Sequence, residues 1–258
     1  MKEVPHKKFL NDYFRGQFPG SNSRGELYND DPRLGDARLC GTTASLCGIE
    51  AGQALFESQG ETFVLSQAIA LDIMLHAFLL TLSGIPILYS GDEIGQLNDP
   101  SYREDPLKSA DSRYIHRGRF DWKSCRKRKD RTTKEGMLFT AIKRLEELRR
   151  KTKVFVNSAD TWIIPLFSGD NDHSVLGIGR YYQGEKLLAF FNFSGDPRTV
   201  RTGESEEYQT LVSSEEFSGT TAGQKASSPA KTERISPEGF ELEGYGFGWF
   251  INCTDPVQ

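Results

Sequence analysis

One short run of apolar residues, Ile85–Tyr89 (IPILY), constrains the fold of this chain more than any other feature. The run does not alternate with polar residues, which is typical of a strand that is buried on both faces of a parallel sheet. Apolar residues at helical spacing over residues 61–82 precede it, and Gly84 provides the turn between them. A second helical pattern covers Lys134–Lys151. The sequence therefore predicts one helix–strand–helix unit.

After residue 153 the pattern changes from helices to strands. Short apolar segments separated by turn residues predict an antiparallel sheet or sandwich. The predicted strands are Thr161–Phe167, Val175–Tyr182, Lys186–Phe193, Tyr208–Val212 and Gly246–Ile251. Turn-forming residues are dense over residues 18–39, which we interpret as an ordered loop. We divide the chain into a loop-rich region at 1–60, a helix–strand–helix region at 61–153 and a β domain at 154–258.

The composition is that of a globular protein. Hydrophobic residues make up 37% of the 258 residues and charged residues 26%, which excludes a disordered or collagen-like chain. The net charge of −4 gives no overall preference for nucleic acid, although residues 113–151 hold 15 Lys and Arg against five Asp and Glu. We interpret that stretch as a solvated loop and helix face, and we predict no nucleic-acid partner.

The cysteines and the apolar segments bear on metal binding and on the cellular location of the protein. The four cysteines form no Cys-x-x-Cys pair and have no histidine at a metal-binding spacing, so we predict no metal and no cofactor. We expect no signal peptide and a cytoplasmic location. The most apolar stretch, residues 63–89, contains Gln67, Asp72 and His76, which favours a buried segment over a membrane span.

The polar segment after Tyr89 is the predicted place for chemistry, because ligands of parallel α/β sheets bind at the carboxyl ends of the strands. Its carboxylates, arginines and histidine could bind a polyhydroxylated ligand, or they could brace the loop through their own ion pairs. We interpret Asp92 and Glu93 as structural, because adjacent strand residues point to opposite faces. The further candidates in this segment are Asp99, Asp105, Asp111, Arg113, His116 and Arg117.

Several motifs resemble those of the α-amylase superfamily, glycoside hydrolase family thirteen. Gly84–Gly95 (GIPILYSGDEIG) is similar to the last barrel strand of that superfamily. The stretch Leu97–Arg117, with LND and DSRYIHR, resembles the loop after that strand in amylosucrases. His6–Asn11 and Gly35–Thr42 resemble the amylosucrase insertion after the seventh strand, and Leu188–Ser194 resembles a strand of the C-terminal β domain. The resemblance covers nearly the entire chain.

The resemblance implies α/β plus all-β architecture, with the C-terminal segment of a (β/α)₈ barrel followed by an antiparallel β-sandwich. It implies a transglucosylase that cleaves sucrose and transfers glucose to an α-glucan. Arg113 would close the base of the glucosyl pocket, Asp111 belongs to the same motif, and Arg38 would lie in a neighbouring acceptor or fructosyl subsite. Lys7 stands where the family tends to carry Arg in an acceptor site, and Lys lacks the planar fork of Arg.

No catalytic residue is assigned by the resemblance. The family's nucleophilic Asp and acid/base Glu belong to earlier strands, and retaining glycosidases need both carboxyls. We therefore expect this chain alone to be inactive towards sucrose, with the upstream barrel portion needed for a complete site. Two alternatives stay open. One is a fragment of a trehalose synthase or α-glucosidase relative, and the other is a non-catalytic carbohydrate-binding β module. The aromatic residues that such a module could display are Trp162, Tyr181, Tyr182 and Trp249.

Overall fold

The computed structural model describes residues 3–31, 33, 36–167, 173–204, 206–217, 232–235 and 239–253. They form a mixed α/β structure with antiparallel sheets. The helices are α1 (Glu3–Phe14), α2 (Thr43–Leu46), α3 (Ile49–Gln59), α4 (Phe63–Thr81), α5 (Trp122–Cys125) and α6 (Lys134–Lys151). The strands are β1 (Glu26–Asp31), β2 (Asp36–Cys40), β3 (Asp160–Ile163), β4 (Val175–Tyr182), β5 (Glu185–Asn192), β6 (Arg198–Val200), β7 (Glu207–Ser213), β8 (Thr232–Arg234), β9 (Phe240–Leu242) and β10 (Phe247–Cys253).

The chain forms two compact units, each assembled from two separate segments. The first unit comprises Met1–Asp72 and Leu88–Leu138, and the second comprises Ile73–Ile87 and Phe139–Gln258. Helices α4 and α6 contribute residues to both units. The domain division at residues 60 and 153 stays a prediction.

The second unit contains two antiparallel sheets with a shared core. The larger sheet has the strand order β3-β4-β5-β10-β7-β8, and the smaller one pairs β6 with β9. Phe190 of β5 and Phe250 of β10 pack in one cluster with Val200 of β6 and Leu242 of β9. Since all four side chains are buried, the smaller sheet covers one face of the larger sheet.

The opposite face of the larger sheet is also covered within this unit. The ring of Phe191 in β5 lies 5.4 Å from that of Phe78 in α4, and the ring of Trp249 in β10 lies 4.9 Å from that of Phe155. Strand β5 is therefore buried on both faces. This double burial explains why Leu187–Phe191 (LLAFF) is an unbroken apolar run in an antiparallel sheet, where alternation is the more common pattern.

A buried arginine joins the end of α4 to the β domain in the second unit. Arg180 of β4 is fully buried. It donates hydrogen bonds of 2.9–3.0 Å to the carbonyl oxygens of Thr81, Val154 and Val156 and to the hydroxyl of Ser83. The last carbonyls of a helix have no partner inside the helix, and an unsatisfied buried acceptor is costly. Arg180 therefore satisfies acceptors that would otherwise destabilise this core.

Arg149 of α6 performs a similar task at the turn that follows α4. It donates hydrogen bonds to the carbonyl oxygens of Leu80, Leu82 and Gly84. A cation at the C-terminus of a helix also complements the negative end of the helix dipole. Arg149 thereby fixes the path of the chain as it leaves α4.

The first unit contains a β-hairpin that the sequence did not predict. Strands β1 and β2 pair within the stretch interpreted as an ordered loop, so the loop prediction is wrong for these residues. The turn-forming residues of β1 are accommodated by a register shift between Tyr28 and Asp31 and by the positive φ of Asn29. The hairpin packs on a small cluster in which Cys40, Tyr102 and Ile115 are buried.

The predicted strand at Ile85–Tyr89 is wrong. These residues adopt no regular secondary structure, and none of the described strands pairs with them. Ile85 and Ile87 are 86% and 81% exposed, and Tyr89 is half exposed. A parallel strand forms only where neighbouring strands accept and donate its hydrogen bonds. The apolar run has no such neighbour among the described residues, so it stays unpaired.

Most other predicted elements are present with small shifts at their ends. Helix α6 has the predicted bounds, and α4 is slightly shorter than the predicted helix at 61–82. The five predicted strands correspond to β3, β4, β5, β7 and β10.

Helix α4 is, among the described helices, the one that is long and apolar enough to cross a membrane. Length and composition do not distinguish a membrane span from the core helix of a globular protein. Asp72 and His76 lie near the middle of α4, and their side chains are buried within the protein. Buried ionisable side chains in the middle of a helix favour a core helix over a lipid-facing span.

Replacing Arg180 tests the carbonyl contacts at the end of α4. We expect Arg180→Met to lower the free energy of unfolding by about 3 kcal/mol or more, because several buried acceptors lose their donor. Urea unfolding followed by Trp fluorescence measures the change, since Trp249 is buried in this unit. Arg150→Met, a change at an exposed site on the same helix as Arg149, is the control. Its free energy of unfolding should stay close to that of the parent protein. Equal stability of the two variants would contradict the role of Arg180.

Amide exchange tests the unpaired state of the apolar run. The amides of Ile85, Ile87 and Leu88 form no hydrogen bond within the described part of the chain. We expect them to exchange within about tenfold of the rate in an unstructured peptide, while amides in the middle of α4 are protected. Hydrogen–deuterium exchange measured by mass spectrometry compares the two segments. Protection of residues 85–88 equal to that of α4 would show that the run is paired.

Candidate functional site

Five aspartates fold the polar segment between residues 90 and 132. In each case Oδ1 accepts a hydrogen bond of 3.0 Å from the backbone N–H two residues further along the chain. This bond begins a turn or a short helix. The five residues are Asp99, Asp105, Asp111, Asp121 and Asp130. The carboxylates that we considered from the sequence as ligand-binding groups, Asp99, Asp105 and Asp111, therefore each already accept a hydrogen bond from the backbone.

The two carboxylates at the start of this segment are also used by the backbone. Asp92 accepts a hydrogen bond from the N–H of Tyr89 at 3.0 Å, and Glu93 accepts one from the N–H of Gly91 at 2.8 Å. These contacts agree with the interpretation of Asp92 and Glu93 as structural residues. The reason given for it is wrong, because Asp92–Ile94 form a 3₁₀ helix and not a strand.

Arg113 and Asp111 form the most tightly connected ion pair in the segment. Nε of Arg113 donates to both carboxylate oxygens of Asp111, at 2.8 and 3.1 Å, and Nη2 donates to Oδ2 at 2.7 Å. Within the described residues the Nη1 group of Arg113 makes no hydrogen bond. Because the Arg113 side chain is 40% exposed, its remaining N–H groups are accessible to a ligand oxygen.

The guanidinium of Arg113 also lies over an aromatic ring. Its central carbon is 4.2 Å from the ring centroid of Tyr28, a cation–π contact. Tyr28 is directly opposite Arg38 in the β1–β2 hairpin, and opposite residues of an antiparallel pair share one face. The hydroxyl of Ser112 donates to the carbonyl of Leu27 at 2.8 Å, which attaches the Arg113 segment to the hairpin.

The structure therefore brings three of the four predicted site residues to one place. Arg113, Asp111 and Arg38 lie around Tyr28 in the first unit, and the Arg38 side chain is exposed. Lys7 lies on a different element, α1, and its side chain is exposed as well. A role for Lys7 in the same site stays a prediction.

Sequence reasoning missed Tyr28, although this residue supports Arg113. The two residues are far apart in the chain, and Tyr28 stands within the stretch interpreted as a loop. One sequence signal could have indicated the hairpin that contains Tyr28. The short segments Leu27–Tyr28 and Ala37–Leu39, with turn-forming residues between them, are typical of two paired strands. Periodicity gives no information about which hairpin residue contacts Arg113.

Electrostatics fix the charge state of this pair. The hydrogen bonds from Arg113 lower the pKa of Asp111 to about 2, and Asp111 in turn raises the pKa of Arg113.

Burial and then the neighbouring Arg117 lower the pKa of His116. His116 is therefore neutral at pH 7, and its ring meets that of Tyr89 edge-on at 5.7 Å. The site presents arginine donors and a neutral imidazole.

No metal centre is present among the described residues. They contain no group of three or more His, Cys, Asp or Glu side chains that could hold an ion. Cys40, Cys47 and Cys125 are free thiols, and burial raises the pKa of Cys40 and Cys47. Raised pKa values keep these thiols protonated and unreactive at neutral pH.

Comparison with known proteins shows the fold class of this chain. No family model matches it. Among solved structures, a variant of the trehalulose synthase MutB in complex with Tris matches with a TM-score of 0.51 and 18% identity, over 71% of this chain and 38% of that chain. MutB from Pseudomonas mesoacidophila MX-45 matches with a TM-score of 0.50 and 17% identity over the same shares. A MutB variant in complex with glucose matches with a TM-score of 0.51 and 18% identity, again over the same shares.

These matches concern only part of the solved proteins. The chain spans 38% of the length of the trehalulose synthase structures that it matches. At this identity the likeness shows a shared fold.

The pKa of Asp111 provides a direct test of the Arg113–Asp111 pair. A lowered pKa in the folded state means that the pair stabilises the fold fully above pH 3.8, and that this contribution is lost as the pH falls towards 2. The carboxyl carbon shift of Asp111 in an NMR titration should have its midpoint at about 2. In Arg113→Ala the midpoint should rise towards 3.8. An unchanged midpoint in that variant would contradict the contact.

Proposed function

We propose that this chain is the C-terminal portion of an α-amylase-superfamily enzyme that acts on sucrose. In this proposal the first unit carries the segment that follows the last strand of a (β/α)₈ barrel, and the two antiparallel sheets form the β-sandwich domain that comes after it in the sequence. Support comes from the GIPILYSGDEIG motif and from the fold shared with trehalulose synthase MutB, a member of the same superfamily. The enzyme would be cytoplasmic.

The Arg113–Asp111–Tyr28 arrangement is the observation that carries the proposal. Asp111 and the Tyr28 ring hold the guanidinium of Arg113 in one orientation, and the Nη1 group has no hydrogen bond in the described part of the protein. A fixed planar donor suits a sugar, because Arg can bind two neighbouring hydroxyl oxygens at once. Arg38, on the same hairpin face, would contact the adjoining sugar unit.

In this assignment the chain binds and orients sugar but does not break the glycosidic bond. A retaining glycosidase needs two carboxyl groups about 5–5.5 Å apart, one as nucleophile and one as acid and base. The carboxylates of Asp92, Glu93 and Asp111 are each engaged by backbone N–H groups or by Arg113. We propose that the catalytic carboxyls come from the barrel portion that lies outside this chain.

The type of reaction is proposed from the sequence motifs. The LND and DSRYIHR stretches and the GDAR insertion favour transfer of glucose from sucrose to an α-glucan, as in amylosucrases. One of the matching trehalulose synthase structures is an inactive MutB variant in complex with isomaltulose, so the matched protein binds a disaccharide.

A carbohydrate-binding function of the β domain alone is less well supported. Trp249 is fully buried, and Trp162 packs against the core between the two sheets. Of the four aromatic residues considered for such a module, Tyr181 is the one that is clearly exposed in the described strands. A single exposed ring does not form an aromatic binding surface.

Sucrose binding by the purified full chain tests the proposal. We expect saturable binding by isothermal titration calorimetry, weakened about tenfold or more in Arg113→Ala, because a hydrogen bond from a charged donor contributes about 1.5–3 kcal/mol. Arg113→Lys keeps the charge but loses the planar fork, so it should also weaken binding. Lys129→Gln, an exposed change away from this site, should bind as the parent does.

Product analysis completes this experiment. We expect no release of fructose or glucose from sucrose by the chain alone, because the two catalytic carboxyls are not part of it. Fructose release by the pure chain would overturn that part of the proposal. Sucrose binding that is unchanged in both Arg113 variants, with circular dichroism showing folded protein, would overturn the binding role of Arg113.

A further inference from the structure

The side-chain amide of Asn98 joins the two ends of the β1–β2 hairpin in the first unit. Its Oδ1 accepts a hydrogen bond of 2.8 Å from the backbone N–H of Thr42, and its Nδ2 donates to the backbone carbonyl of Arg24. Both residues lie two positions beyond the pair at the open end of the hairpin, Glu26 and Cys40. A side-chain amide has an acceptor as well as donors, so it can bind both backbone groups at once. Asn98 therefore holds the open end of the hairpin together.

The residue after Asn98 attaches the same point of the chain to the helix that carries Arg113. The backbone N–H of Asp99 donates a hydrogen bond of 2.8 Å to the carbonyl of Ile115. Ile115 belongs to the 3₁₀ helix Ser112–His116, which also contains Arg113. Because Asn98 and Asp99 are adjacent, the hairpin and this helix are both fixed to neighbouring residues. The position of the hairpin relative to Arg113 therefore depends on the Asn98 side chain.

The hairpin carries two of the residues that surround the Arg113 site. The ring centroid of Tyr28 lies 4.2 Å from the guanidinium carbon of Arg113, and Arg38 is the cross-strand partner of Tyr28. Arg113 itself is held by Asp111, which belongs to the same segment as Arg113. A movement of the hairpin would therefore displace Tyr28 and Arg38 and leave the Arg113–Asp111 pair intact.

We propose that Asn98 is a positioning residue that sets the distance between Arg38 and Arg113, and with it the preference of the site for a disaccharide over a monosaccharide. The proposal rests on the proposed function, in which Arg113 binds one sugar unit and Arg38 contacts the adjoining one. A disaccharide must contact both arginines at once, so its affinity depends on their being held at the right spacing beforehand. A monosaccharide can use Arg113 alone. Asn98 thus acts on specificity without contacting the sugar.

NMR of the full chain tests the geometric part of this proposal. The ring current of Tyr28 shifts the side-chain resonances of Arg113, and Tyr28→Leu gives their positions without the ring. In Asn98→Ala we expect the Arg113 resonances to move towards those of Tyr28→Leu. The titration midpoint of Asp111 should stay at about 2, because its contact with Arg113 is local. Arg113 resonances that keep their parent positions in folded Asn98→Ala would overturn the positioning role.

Sugar titrations of the full chain test the specificity part. We expect the ratio of sucrose affinity to glucose affinity to fall about threefold in Asn98→Ala, because the bond from Ser112 to Leu27 still attaches β1. Asn98→Asp keeps the acceptor but loses the donor, so it should lower the ratio even if Asn98→Ala fails to fold. Asn157→Ala is the matched control, because it removes an amide that accepts the N–H of Gly84 in the second unit. Its ratio should stay unchanged.

The proposed function and the role of Asn98 fail in different ways. Sucrose binding that depends on Arg113, with an unchanged affinity ratio in both Asn98 variants, leaves the proposed function in place and overturns the role of Asn98. Equal weakening of sucrose and glucose in these variants also overturns it. Sucrose binding that is absent, or that does not depend on Arg113, is failure of the proposed function, and the Arg113 resonances then decide the positioning role by themselves.

Discussion

The hydrogen bond from a backbone N–H to an aspartate two residues earlier is the interaction on which the candidate site depends. It occurs five times between residues 99 and 132, each time at 3.0 Å. Asp99, Asp111 and Asp121 are helix N-caps, and a cap of this kind contributes about 1 kcal/mol. Individually these bonds are modest, but together they give a long polar segment a defined path. Without that path the side chains of the Arg113 site would have no fixed positions.

Asp111 shows how this local bond determines a longer-range arrangement. One oxygen receives the N–H of Arg113, and both oxygens receive its guanidinium. The backbone and the side chain of Arg113 are therefore held by the same carboxylate. The ring of Tyr28 supports the guanidinium from another part of the unit. An arginine held in this way loses little conformational entropy when it binds a ligand.

Local patterns were predictable from the sequence, and contacts between distant residues were not. Helix α6 has the predicted bounds because its apolar stripe and its charged face are both encoded within the helix. Local pattern could not predict whether Ile85–Tyr89 forms a strand, because a strand needs neighbouring strands to supply its hydrogen bonds. The motif containing Asp111 and Arg113 was recognisable, since the two residues are close in sequence. Its contact with Tyr28 joins residues far apart in sequence, and no periodicity reports such a contact.

The exposed run at Ile85 and Ile87 has a consequence for the colloidal behaviour of the protein. Large apolar side chains on an unpaired segment attract other copies of the same segment, and the net charge of −4 supplies the repulsion between molecules that opposes this attraction. Near the isoelectric point of about 5.7 even that repulsion disappears. Sulfate and other strongly hydrated salts strengthen apolar attraction, so they would favour precipitation through this segment. Dilute, mildly alkaline, low-sulfate solutions are the conditions in which separate molecules of this chain can best be handled.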